Sequence, residues 1–223
     1  MSKAVLTLLL LVSGLVQQLP PAYPRDGAKQ LIDNERVTVW DATWPKGKPT
    51  AMHQNKLDMV TIELADATAR ITTKDGKTQS SSLKFGQASF VPKGLAQMEE
   101  GTSEPSRHAI VIDLKDAVVA PMDNKSGYPD AFPRPGSKKL LDNNRITVWD
   151  YTWTPGKATP MHFHAKDVVT IYMATGEVRS TALDGTIVIN SVTPGMARFN
   201  PRNRTHTEEL IKGASRAIVV ELK

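Results

Sequence analysis

The stretch Val37-Thr38-Val39-Trp40-Asp41-Ala42-Thr43-Trp44 returns as Ile146-Thr147-Val148-Trp149-Asp150-Tyr151-Thr152-Trp153, each residue 109 positions before its partner. The same offset joins Tyr23-Pro24-Arg25 to Phe132-Pro133-Arg134, and Leu31-Ile32-Asp33-Asn34 to Leu140-Leu141-Asp142-Asn143. It holds without a gap until after Glu100. The register then resumes one residue shorter, with Ala109-Ile110-Val111 against Ala217-Ile218-Val219. A period this long marks a duplicated domain and not a solenoid. The division that follows is a first copy over 23–115, a linker over 116–131 carrying Pro121, Gly127 and Pro129, and a second copy over 132–223. A copy of about 90 residues can fold alone, but pairing two of them buries more surface.

Within a copy the apolar residues follow short β-type patterns. Arg145-Ile146-Thr147-Val148-Trp149 alternates, and Val168-Val169-Thr170-Ile171-Tyr172-Met173 is rich in β-branched and aromatic residues. Thr186-Ile187-Val188-Ile189 and Arg216-Ala217-Ile218-Val219-Val220 read the same way, with Pro155-Gly156, Asp184-Gly185 and Pro194-Gly195 between them. No long stretch after the leader has a helical period. Many short strands at regular spacing predict an all-β sandwich or small barrel in each copy.

Of the 223 residues, 40% are hydrophobic and 23% charged, the balance of a globular chain able to build a core. The absence of cysteine excludes disulfides, thiolate metal sites and cysteine nucleophiles together. The net charge of +5 comes from scattered Lys and Arg mixed with acids. No basic block or aromatic-basic alternation points to nucleic acid, so none is expected as a partner. Mild positive charge favours anionic small molecules. At the N-terminus Lys3 precedes the apolar run Ala4 to Val12 and then Ser13-Gly14, the pattern of a secretory signal peptide over residues 1–22. The run is too short for a transmembrane span, so a secreted or periplasmic protein without stable membrane insertion after signal removal is expected.

The chemistry lies in the second copy. Gly156 is followed by five residues and then His162-Phe163-His164. Positions two apart on a strand face the same way, so both imidazoles can enter one cavity. Downstream, Gly195 is followed by five residues, then Pro201, and later His206, which a second strand can bring across to the first two. Three neutral imidazoles converging in a barrel make a metal site with open positions.

These spacings resemble the two motifs of the cupin superfamily. Gly156, His162, His164 and Gly176 fit the first, G-x5-H-x-H-x3–4-E-x6-G, although its glutamate position falls on Val169. Gly195, Pro201 and His206 fit the second, G-x5-P-x-G-x2-H-x3-N, with Asn203 at its inner glycine and Leu210 at its final Asn. Asn is the best non-glycine residue for a left-handed turn, so that change is mild. The likeness runs through both repeats and implies a bicupin, two tandem antiparallel cupin barrels of the jelly-roll type. The first copy keeps Gly47, Gly86, Pro92 and Gly94, but beyond His53 the ligand positions carry Asn55 and Gln97. One imidazole with two amides is a poor transition-metal site, so the first barrel is read as a support for its twin.

Without the motif glutamate, the expected ligands are His162, His164 and His206 alone. Asp167 is an alternative fourth ligand, but Asp58 stands at the same place in the ligand-poor copy, which favours a structural role. Arg198 and Arg202, beside the second motif, are candidates to hold a carboxylate. Val169, Ile171, Met173 and Phe199 are the expected apolar wall. His108 has no histidine partner and reads as a surface residue. The metal is a divalent transition ion, with Fe, Mn, Zn, Ni and Cu all compatible with imidazole. Two functions remain open: a metal-dependent enzyme acting on a small anionic molecule, as three-histidine iron dioxygenases of the family imply, or a non-catalytic small-molecule or metal-binding protein. A homodimer is a further option for partners.

Overall fold

The computed structural model describes residues 18–117 and 119–223. Residues 1–17 of the expected leader lie outside the described residues; at its end, Pro20 accepts from the Gln54 backbone N–H at 2.9 Å and Ala22 is buried against the first barrel. The first copy contributes β1 (Ala28–Asp33), β2 (Val37–Trp44), β3 (His53–Gln54), β4 (Asp58–Glu63), β5 (Ala67–Thr73), β6 (Thr78–Leu83), β7 (Ala88–Val91), β8 (Ala96–Gly101) and β9 (Arg107–Leu114). The second contributes β10 (Ser137–Asp142), β11 (Ile146–Thr152), β12 (His162–His164), β13 (Val168–Tyr172), β14 (Gly176–Ala182), β15 (Ile187–Val192), β16 (Ala197–Asn200), β17 (Arg204–Gly213) and β18 (Arg216–Leu222). All pairings between these strands are antiparallel, and no sheet mixes strands of the two copies. Each copy has a five-stranded sheet, ordered β1-β2-β9-β4-β7 or β10-β11-β18-β13-β16, facing a four-stranded one, ordered β3-β8-β5-β6 or β12-β17-β14-β15. The expectation of two tandem β-barrels is borne out.

The five-stranded sheets carry two jobs at once, which explains their composition. Every residue of β4 and of β13 is buried. One face of β13 turns Val168 and Tyr172 into its own barrel, while Val169, Ile171 and Met173 join a cluster shared with the other barrel. That cluster also holds Val60, Ile62, Ile110 and Ile112 of the first copy and Ile218 and Val220 of the second. A sheet buried on both faces loses the polar alternation of a half-exposed one. At roughly 1.5–3 kcal/mol for each fully buried aliphatic side chain, this shared layer is a main source of cohesion between the copies.

Charged pairs lock the same interface reciprocally. Arg36 of the first copy pairs with Asp167 of the second at 2.9 Å, and Arg145 of the second with Asp58 of the first at 3.0 Å. Each aspartate uses its other oxygen to accept a backbone N–H of its own copy, Arg202 for Asp167 and Lys93 for Asp58, at 2.8 and 2.9 Å. All four residues obey the repeat offset, so the two copies face each other as two subunits of a dimer would.

Candidate metal centre

His162 and His164 stand on β12, two residues apart, and β12 pairs with β17 so that His162 lies directly opposite His206. Strand alternation and this register put all three imidazoles on the concave side of the four-stranded sheet. The entry to β17 depends on the Asn203 turn. Its φ is 63°, the left-handed region that Gly94 (φ 87°) takes in the first copy. The three rings are buried, with centroids 4.8 to 5.1 Å apart, and one nitrogen from each can be chosen so that all lie within 4.8 Å of one another. Among the described residues no other group of His, Cys, Asp and Glu converges in this way.

The donor set fits a divalent transition metal. The Nε2 atoms of His164 and His206 are 3.0 Å apart, which is about the separation of two nitrogens held at roughly 2.0–2.1 Å by one ion. Nδ1 of His164 is buried with no hydrogen-bond partner. His162 places Nδ1 2.8 Å from the Pro160 carbonyl, the contact that fixes a ring for coordination through Nε2. Nδ1 of His206 lies 2.8 Å from Ser180 Oγ, which orients the third ring. Burial holds all three imidazoles below their ordinary range, helped at His162 by the Arg134 charge and at His164 by its two neighbours; His206 falls to about 4. The cluster is therefore neutral at pH 7 and offers lone pairs.

A small cavity of about 40 Å³ adjoins His164 and His206. Val168, Thr170 and Tyr172 of β13, Arg198 of β16 and Arg204 and Glu208 of β17 are among its walls. Glu208 accepts from Arg134 at 2.9 Å, and the same guanidinium donates to His162 Nε2 at 2.8 Å. Burial pushes the Glu208 carboxyl up, but Arg134 and the imidazoles pull harder and leave it at about 2, ionised. Burial and the Glu208 charge raise the Tyr172 hydroxyl to about 12. Since one Nε2 lone pair serves one partner, a metal held by His162 would take the place of the Arg134 hydrogen bond.

The other expected site residues fall elsewhere, with the exception of Arg198. Asp167 is engaged by Arg36 and the Arg202 backbone, in the inter-barrel seam. The Arg202 side chain donates to the Ala120 carbonyl of the linker. The apolar wall needs correction: Val169, Ile171 and Met173 face the other barrel, and Phe199, which pairs with Val169, packs against the same cluster. Arg198 does line the cavity and donates to Asn190 Oδ1. His108 lies on β9 with its side chain 41% exposed, 2.5 Å from Asp41, where the second copy has Arg216 on Asp150. Sequence reasoning passed over Arg134 and Glu208. Glu208 is two residues from His206 on one strand, and Arg134 closes Phe132-Pro133-Arg134, the counterpart of Tyr23-Pro24-Arg25; both signals were present.

No protein-family model matches the chain, and no curated protein matches it. Solved structures do match in fold. The chain is similar to the cupin 2 conserved barrel domain protein from Leptotrichia buccalis, with 13% identity, a TM-score of 0.55 and 88% of each chain covered. It is also similar to a variant of Bacillus subtilis oxalate decarboxylase, with 15% identity, a TM-score of 0.61, and 85% of this chain and 69% of that one covered. A further structure of that enzyme, described for its Mn(II) centres, matches at 15% identity and a TM-score of 0.59, covering 84% of this chain and 68% of that one. The two facing-sheet halves, the repeat and these likenesses agree: in fold the chain is a bicupin, two cupin barrels in tandem.

Proposed function

We propose that the second barrel binds one divalent transition metal through His162, His164 and His206 and takes up a small anionic molecule in the adjoining cavity. The observation that carries the metal is the convergence of three buried, neutral imidazoles, one nitrogen of each lying within 4.8 Å of the others. Charge supports the anion. Glu208 is spent on Arg134, whereas Arg198 and Arg204 line the cavity without a carboxylate partner among the described residues. The fold likeness to an oxalate decarboxylase, an enzyme of a small carboxylate, is in keeping with this.

Bound iron would supply redox and oxygen chemistry, and the catalytic form of the proposal is a three-histidine dioxygenase. Glu208, the cavity's one carboxylate, is tied to Arg134 and is a poor general base, which disfavours hydrolysis. The non-catalytic form, capture of a small anion on the metal, uses the same residues. An oxygen-uptake screen of iron-loaded protein with small carboxylates separates the two: uptake that depends on His206 supports the enzyme, and carboxylate binding without uptake supports capture. We also propose that residues 1–22 direct export. Intact mass of the mature protein should show a start beyond Gly14, and a soluble form retaining Met1 contradicts export.

A further inference from the structure

The inner cavity, at about 40 Å³, is small. A water needs roughly 10–15 Å³ of such space, so the cavity holds a carboxylate head and little more. Whatever else a ligand carries must lie outside. An outer groove begins at the same place: Ser180, Arg204 and His206 border both the cavity and the groove. Beyond them its walls are Ala182, Leu183 and Val188, with Thr205 on the β17 side and Asp184 and Thr186 in the turn between β14 and β15.

Register shows that these walls continue the concave face. Ser180 reaches His206 and therefore points inward, and Val188 is its direct cross-strand partner. Asn190, two residues along β15, lines the cavity itself. Ala182 pairs directly with His206 on β17. The groove thus runs from a cationic inner end at Arg204 to an apolar rim, where Leu183 and Val188 are 57% and 52% exposed.

The first copy reverses every one of these choices. At the positions of Ala182, Leu183 and Val188 it has Thr73, Lys74 and Gln79, and at the position of Arg204 it has Leu95. The same fold therefore does not need an apolar rim or a cationic floor there. Single exposed apolar residues are ordinary; this rim is apolar only in the copy with the histidines, where the outer face of β15 also exposes Ile187 and Ile189.

We propose that the ligand is an aliphatic monocarboxylate, its head at Arg204 beside the histidine cluster and its chain along Ala182, Leu183 and Val188. This rests on the reading of the histidine site as a metal centre beside an anion cavity, and adds the chain. The test is titration calorimetry of the Zn(II)-loaded full chain with acetate, butyrate and hexanoate, and with hexanol as a neutral control. Affinity should rise with length, by up to about fourfold per methylene covered, so that hexanoate binds at least about tenfold tighter than acetate. Leu183→Lys with Val188→Gln, the first-copy residues, should bring the two acids within about threefold while acetate binding stays. Arg204→Leu should weaken all acids together and leave the slope. Both rim residues are exposed; Val188→Thr is the milder second variant and should flatten the slope in part.

Acetate binding with no dependence on length overturns this inference and leaves the metal-and-anion proposal standing. Metal uptake with no binding of any acid overturns both. Hexanol binding as tightly as hexanoate also overturns it. The competing occupant is a second copy pairing along edge strand β15, whose outer face exposes Ile187 and Ile189. If light scattering finds a dimer that the rim variant makes monomeric, with acid affinities unchanged, the rim belongs to self-association and the inference fails.

Discussion

The two barrels share a fold and differ in what fills them. In the first, Arg107 enters from β9 and is buried. It pairs with Glu63 at 2.8 Å and Glu99 at 3.3 Å, and lies 4.1 Å over the Trp44 ring. In the second, the same three neighbours are Tyr172, Glu208 and Trp153, all walls of the cavity, and the position of Arg107 is taken by Ser215. A guanidinium on a long stem stands in one barrel where the other has a short hydroxyl. The histidine positions change in step: His53, Asn55 and Gln97 replace His162, His164 and His206. The first barrel sets Arg107 and Arg25, the counterpart of Arg134, against the two carboxylates Glu63 and Glu99. The second keeps one carboxylate among Arg134, Arg198 and Arg204, a surplus of positive charge suited to a ligand anion.

The largest effect expected from breaking this comparison is at Arg107. Arg107→Ala leaves Glu63 and Glu99 buried without their cation and should cost about 3–5 kcal/mol in denaturant unfolding. A cost under about 1 kcal/mol would show that the first barrel does not depend on an internal cation.

The second effect belongs to the histidines. His206 has a folded value of about 4, against about 6.5 for an ordinary imidazole. With the folded value depressed, the unfolded chain takes the proton first as pH falls. The contribution is complete above about pH 6.5 and is lost as pH falls toward 4. Chelator-treated protein should therefore be roughly 2 kcal/mol less stable at pH 5 than at pH 7 from this residue alone. His206→Gln, which copies the first barrel, should shrink that acid limb and leave the part that belongs to His162 and His164. An unchanged limb would place the titration elsewhere.

How much of this was legible follows from strand geometry. The repeat and the three histidines were readable because a two-residue period survives any uncertainty about strand ends. The facing of β13 was not, because burial on both faces erases alternation. The copies themselves held the missing signal. Val169 and Ile171 face Val60 and Ile62 as like residues, as a reciprocal interface demands, whereas Tyr172 answers Glu63 on the inward face. The arginines of the seam were illegible for another reason: Arg36 and Asp167 are 131 positions apart and meet only because the barrels do.

The seam supplies the third effect. Asp58→Asn and Asp167→Asn each keep the backbone acceptor and lose a charge facing an arginine. Each should cost on the order of 1 kcal/mol, by similar amounts. Asp167→Asn should also keep metal affinity within roughly tenfold. A loss of metal as complete as in His164→Ala, with folding intact, would move Asp167 into the ligand set. The smallest effect is at Ser215, whose hydroxyl is buried without a partner. Ser215→Ala should change stability by no more than about 0.5 kcal/mol, or raise it; a clear loss would reveal a partner for that hydroxyl.

The central claim is that one barrel binds metal and its twin does not. Elemental analysis of the protein purified from its native compartment tests it most directly, alongside His162→Ala, His206→Ala and His53→Ala. One transition metal per chain, lost in the first two variants and kept in the third, is the expected result. Two metals per chain, or a single metal that survives His206→Ala and leaves with His53→Ala, would contradict it.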